Sequence, residues 1–171
     1  EEGEEAAAAA AVGEDDKAGA QHSTPLPRSI QALVVLFFVV YVGSESGYGG
    51  WVSTYVLDKA VVTTKQEAAF VASWYWGGLT AGRLVAIPLA VKLSTTTHLR
   101  TQLVGTVVGA ILTLTVLDNS YTSACVVSAI YSLALSAIFP LALSIVKDYG
   151  FEVDASATAS FICASCMGDA V

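Results

Sequence analysis

Charge is scarce in this sequence. Only 13% of its 171 residues are Asp, Glu, Lys or Arg, while 54% are hydrophobic; soluble domains carry about a quarter charged residues. What charge exists is gathered at one end. Seven of the fifteen acids (Glu1, Glu2, Glu4, Glu5, Glu14, Asp15 and Asp16) precede residue 17. The net charge of −7 therefore describes a tail, and the remainder is nearly neutral. Such a balance argues against nucleic acid as a partner. Histidine is almost absent as well. His22 reads as a solvated residue, His98 as a loop residue, and no metal-ligand spacing links the two. The lone asparagine, Asn119, opens NSY and is no glycosylation acceptor. A basic stretch followed by an apolar one is missing from the N-terminus, so a signal peptide is not expected. Residue 1 is Glu rather than Met, and the expectation is a fragment or a processed product.

Hydrophobic runs fill the rest. A helix needs about 20 apolar residues to cross the roughly 30 Å of bilayer hydrocarbon. Segments at about 30–57, 68–91, 101–117 and 121–146 reach that length, the third at the low end, and a fifth at 156–171 is cut off. The breaks VLDKAVVTTKQE, KLSTTTHLR, LDNS and KDYGFEVD are short and polar. No period of two suggests barrel strands. The fold class expected is an all-α membrane protein. Residues 1–29, which include an acidic, alanine-rich stretch, cannot bury enough apolar surface to order themselves and read as a disordered loop. Alternate loops hold Arg28 with Lys17, then Lys92 and Arg100, then Lys147, against Lys59 and Lys65 on the other side. By the positive-inside rule, the tail and the loops near residues 96 and 150 are cytoplasmic.

Charges within the spans are costly and point to function by default. Three qualify: Glu45, Arg83 and Asp169. On a helix, Glu45 shares a face with Phe38, Tyr41, Tyr48 and Val52, with Tyr55 at its edge. A carboxylate among aromatic rings suits a polyol or sugar, since rings stack on C–H faces and the carboxylate accepts hydroxyl hydrogen bonds. Burial also favours the protonated carboxyl, which fits a proton-coupled step. The plainer reading pairs Glu45 with a base or hydroxyl to fix helix packing. Gly43, Gly47, Gly49 and Gly50 follow the same two readings, a bent helix beside a midplane site or G-x-x-x-G packing. Packing explains the same pattern in GLTAG (78–82) and GTVVG (105–109). Arg83 lies less than three turns from the cytoplasmic end and reads as a conformational latch, able to reach the interface or cap a neighbouring helix.

In the fourth span Ser128, Ser132 and Ser136 form one stripe, with Ser144 further along, which points to tight packing. Pro140 removes a backbone hydrogen bond and kinks this helix, freeing a carbonyl near Ser136 and offering a hinge. Trp74 and Trp76 in SWYWGG read as an interfacial belt, or one of them, Trp76, as a cavity residue. Cys163 and Cys166 in C-A-S-C read as small-residue packing rather than a redox pair; Cys125 stands alone.

YVGSESGYGGWVSTY, WGGLTAGRL and SAIFPLALS together resemble the C-terminal half of the major facilitator superfamily, in its fucose-permease-like and sodium-dependent glucose transporter-like branch. The resemblance covers residues 30–171 in order and spacing. It implies spans seven to ten and part of eleven, with residues 1–29 as the central cytoplasmic loop. It also implies a cavity-facing Glu45, and an equivalent for Gly168 and Asp169 in span eleven. Six N-terminal spans and the twelfth are absent from the sequence, so the resemblance implies a missing N-terminal half as partner.

The expected function is a secondary active transporter of a sugar or similar small polar solute, working by alternating access. A coupling H+ or Na+ and the lipid bilayer are its other partners, no cofactor is implied, and the plasma membrane is the default location. Glu45, Tyr41, Tyr48 and Trp76 are the candidate substrate contacts. Arg83, Pro140, Gly49, Gly50 and Asp169 are the candidate gating residues. The alternative is a non-transporting scaffold or receptor that kept the fold. An enzyme is disfavoured, since no His, Cys–His pair or metal motif accompanies the three charges.

Overall fold

The computed structural model describes residues 24–170; the acidic tail before residue 24, with His22, lies outside the described residues. The elements run β1 (Thr24–Pro25), α1 (Arg28–Asp58), α2 (Lys65–Lys92), α3 (Thr95–Val116), a 3-10 turn (Leu117–Asn119), α4 (Tyr121–Leu135), α5 (Ile138–Asp148), β2 (Phe151–Glu152) and α6 (Ala155–Asp169). The fold is all-helical apart from the two short strands, which pair in parallel, Thr24 opposite Phe151.

Polar loops start the helices by a common device. Thr64 accepts from the Glu67 backbone N–H while the Glu67 carboxylate returns to the Thr64 N–H, a closed capping box. Ser120 and Ser123 form the same arrangement ahead of α4. Ser94 and Asp154 cap α3 and α6 through their side chains. Each oxygen satisfies an amide that the first helical turn leaves without a partner. Two helix ends turn through left-handed residues, Ala60 after α1 and Gly150 after α5, with φ of 54° and 78°.

Among the described residues, three segments are both long and apolar enough to cross a membrane: Arg28–Asp58, Thr95–Asn119 and the broken pair spanning Tyr121–Asp148. Helix α2 has 28 residues, enough length, but SWYWGG and Arg83 dilute its apolarity. Helix α6 has only 15. Leu33, Leu36, Val40, Leu84, Ile87, Val91 and Leu114 are exposed, which suits a lipid environment and would be anomalous in water.

Helices α2 and α4 meet along a seam of small residues. Ser128, Ser132 and Ser136 are fully buried. A Cβ at Gly78 would meet Ser132 Oγ and lie 2.9 Å from the Ala129 carbonyl oxygen, and one at Gly82 would lie 2.7 Å from Ser136 Cβ. Gly105 and Gly109 face Ala134 and Tyr131 in the same way. Both G-x-x-x-G patterns are therefore packing surfaces, closed by missing side chains. Helix α1 packs on α6, where a Cβ at Gly168 would fall 2.6 Å from the Val39 carbonyl. Gln31 donates to Ser160 across the same contact.

Two readings need correction. His98 is not in a loop: it lies in the first turn of α3, buried to 2% exposure. Ser94 caps this helix earlier than the apolar run alone suggests. Cys163 and Cys166 are exposed free thiols, so they do not pack on any of the described helices; Ala164 and Gly168 are the buried small residues of that stretch.

Candidate functional site

Pro140 organises the site. Its ring carries no N–H for the carbonyl four residues earlier and clashes with it. The helix accordingly ends at Leu135, one turn before the proline, and restarts at Ile138. The kink that sequence reading expects is there: regular helical bonding lapses at Ser136 and Ala137, while Ser136 keeps helical backbone angles. Two carbonyls around it are taken up from other helices. The Tyr41 hydroxyl of α1 donates to Leu135 O at 2.9 Å, and Arg83 Nε of α2 donates to Ser136 O at 3.4 Å.

The same guanidinium reaches Glu45. Arg83 Nη2 lies 3.1 Å from Glu45 Oε1. The carboxylate is buried, its residue 9% exposed, while the arginine side chain is 57% exposed. A buried carboxylate requires such a partner. Arginine has five N–H donors, and two are used by partners among the described residues.

Beside this pair lies an aromatic cluster. Tyr75, fully buried, donates to the Glu45 backbone carbonyl at 2.8 Å. The Tyr48 hydroxyl is 2.8 Å from Ser128 Oγ. Tyr48 lies 4.8 Å from Tyr75 and 5.0 Å from Tyr131, ring centre to ring centre. Trp76 stands edge-on to Tyr75 and covers Gly49, whose Cβ would fall 2.5 Å from the indole. Gly49 is therefore needed for close approach, whereas nothing lies within 4 Å of a Cβ at Gly50.

The structure thus brings together Tyr41, Glu45, Tyr48, Gly49, Trp76, Arg83 and the Pro140 break. Gly50 and Asp169 stay apart from it. Asp169 accepts from Ser46 on the exposed side of the α1–α6 contact. Sequence reading missed Tyr75 and Tyr131. Tyr75 had a signal: with Ala68, Val71, Gly78, Leu79 and Gly82 it completes the three–four spacing of the buried face of α2. The flanking tryptophans, both well exposed, draw attention away from it. Among the described residues, no group of three or more His, Cys, Asp or Glu could hold a metal.

Comparison with known proteins adds a second line. The chain is similar to sodium-dependent glucose transporter 1 of Danio rerio, 36% identical over 131 residues, which are 77% of this chain and 22% of that protein. It is similar to sodium-dependent glucose transporter 1A of Mus musculus, 30% identical over 142 residues, 83% of this chain and 33% of that protein. A third relative is major facilitator superfamily domain-containing protein 4A of Danio rerio, 30% identical over 157 residues, covering 90% of this chain and 29% of that protein. The chain spans between about a fifth and a third of these curated relatives. No family model matches it, and no solved structure does.

Proposed function

Because this chain belongs to the major facilitator superfamily, among its sugar-transporter-like members, we propose that it forms part of a secondary active transporter. Its helices correspond to the C-terminal half of that fold. The solute is a sugar or a similar small polar molecule, and transport is coupled to a cation. Sodium is preferred to a proton here because two of the relatives carry sodium dependence in their names. The N-terminal half completes the binding cavity, residues 1–29 link the two halves on the cytoplasmic side, and the membrane is the plasma membrane.

One observation carries the reading: Arg83 holds the Glu45 carboxylate and the carbonyl freed by Pro140 at the same time. A hydroxyl of the solute competes for the carboxylate and for the unused guanidinium donors, while Tyr41, Tyr48 and Trp76 supply ring faces for its C–H surface. Each bond Arg83 exchanges for solute loosens its hold on Ser136 O. The break between α4 and α5 is then free to bend, and the two halves rock about the site. Arg83 is both latch and contact, and Gly49 keeps Trp76 against α1. Asp169 and Gly50 act at the edge of the moving half rather than on the solute.

The test is uptake of labelled glucose by the full-length protein in liposomes, with and without a sodium gradient. Native protein should show gradient-driven uptake, and Glu45→Gln should raise KM or alter its ion and pH dependence. Unchanged kinetics and unchanged pH profile in the variant would remove Glu45 from the site.

A further inference from the structure

Sulfur is unevenly placed along this chain. The sequence holds three cysteines and one methionine, and three of these four residues fall in the stretch CASCM, residues 163–167. The helix around them, α6, runs unbroken from Ala155 to Asp169. Cys163 is therefore three residues from Cys166 and four from Met167, the two spacings that make side chains neighbours on a helix surface. Their face points away from the fold. Ala157, Phe161, Ala164 and Gly168 form the buried side of α6, whereas Cys163 and Cys166 are exposed free thiols and Met167 is 64% exposed. Among the described residues, the three sulfurs serve neither the core nor a disulfide.

We infer that Cys163, Cys166 and Met167 form a copper(I) site of two thiolates and one thioether. Cβ atoms three or four residues apart on a helix are ~5–6 Å apart. Two arms, each ending in a sulfur ~2.3 Å from a shared ion, close that gap. The methionine arm, with its three rotatable bonds, adapts to the position the thiolates set. The donor set decides the ion, because thiolate and thioether sulfur together select soft copper(I). Zinc takes four ligands from Cys, His and carboxylate, and among the described residues no group of three or more His, Cys, Asp or Glu could hold it. Calcium and magnesium require oxygen. The exposed neighbours Ala159, Ile162 and Ala170 carry no donor, and the Asp169 carboxylate accepts from Ser46. Binding exchanges the two thiol protons for one copper(I), two protons leave to solvent, and no electron is transferred. The site shares no residue with the solute contacts proposed above and does not depend on them.

Copper(I) itself is the probe, titrated without oxygen into the purified full-length protein in detergent against the chromogenic chelator bicinchoninate. X-ray absorption then counts the sulfurs around the bound ion. The native protein should take up one more copper(I) than the double variant Cys163→Ser with Cys166→Ser, and the extra ion should have three sulfur neighbours. Cys125→Ser, at a buried position, should leave that difference unchanged. Met167→Leu keeps the bulk and should retain the ion on two sulfurs, with affinity lower by about tenfold or more, since a lost ligand costs no less than a lost outer-shell partner. A native-like Tm shows that each variant is folded. Equal copper uptake by the native protein and the double variant overturns the site. Unchanged affinity and an unchanged sulfur count in Met167→Leu overturn the role of Met167.

Discussion

Replacing Pro140 by alanine should make the protein more stable and a poorer transporter. Proline inside a helix costs about 3 kcal/mol relative to alanine, through the lost hydrogen bond and the clash with the carbonyl four residues back. Part of that cost is already offset here. Tyr41 bonds Leu135 O at 2.9 Å, which is worth about 1 kcal/mol, while the Arg83 bond to Ser136 O at 3.4 Å is long and adds less. With alanine in place of Pro140, the new backbone N–H can take Ser136 O, α4 and α5 can join, and both side-chain bonds are lost. The net gain is about 1–2 kcal/mol, the proline cost less those two bonds. Full-length Pro140→Ala should therefore melt at a higher temperature than the native protein and transport more slowly, because a continuous helix no longer bends at Ser136. A fall in Tm, or native uptake together with a raised Tm, would refute the account of the break.

Other consequences are more local. Gly78→Leu places atoms against Ser132 Oγ and the Ala129 backbone, so it should cost about 3 kcal/mol, at the upper end for overpacking, whereas Gly50→Ala, open to space, should leave Tm unchanged. Tyr75→Phe deletes a buried hydrogen bond but leaves Glu45 O within its helix; a loss of about 1 kcal/mol in denaturant unfolding is expected. The backbone N–H groups of Thr63 and Thr64 hold the Glu67 carboxyl below the usual carboxylate range. Its contribution to stability is present above the unfolded-state pKa and is lost as pH falls through the lowered folded-state value, so Glu67→Gln should flatten the acid side of a Tm–pH curve.

Much of the architecture is legible because apolar runs and polar breaks are so unequal here. The all-helical class follows from the lengths of those runs, and the roles of GLTAG and GTVVG from their spacing. The break is legible in part. Proline marks it and places the freed carbonyl at Ser136, four residues earlier, but which side chains take up that carbonyl and that of Leu135 has no sequence signal. The Glu45–Arg83 pair joins residues 38 apart, and nothing local in either helix announces it. Each charge singles itself out by sitting in an apolar segment; only the packing of α1 on α2 shows that they belong together. His98 illustrates the opposite case. It stands in KLSTTTHLR, which reads as a loop, because the capping by Ser94 that starts α3 is invisible to an apolar-run count. Asp169 remains apart from the other charges in the fold, as it is in the sequence.

The central claim is that Glu45 and Arg83 act on the solute as one unit. A double-mutant cycle on uptake by the full-length protein in liposomes tests it most directly, with Glu45→Gln, Arg83→Gln and the pair combined. If the two form one site, each single variant loses most of the uptake with a raised KM, and the double variant loses little more than either. Losses that multiply across the cycle, or an unchanged KM in both single variants, would show instead that the ion pair only holds the helices together.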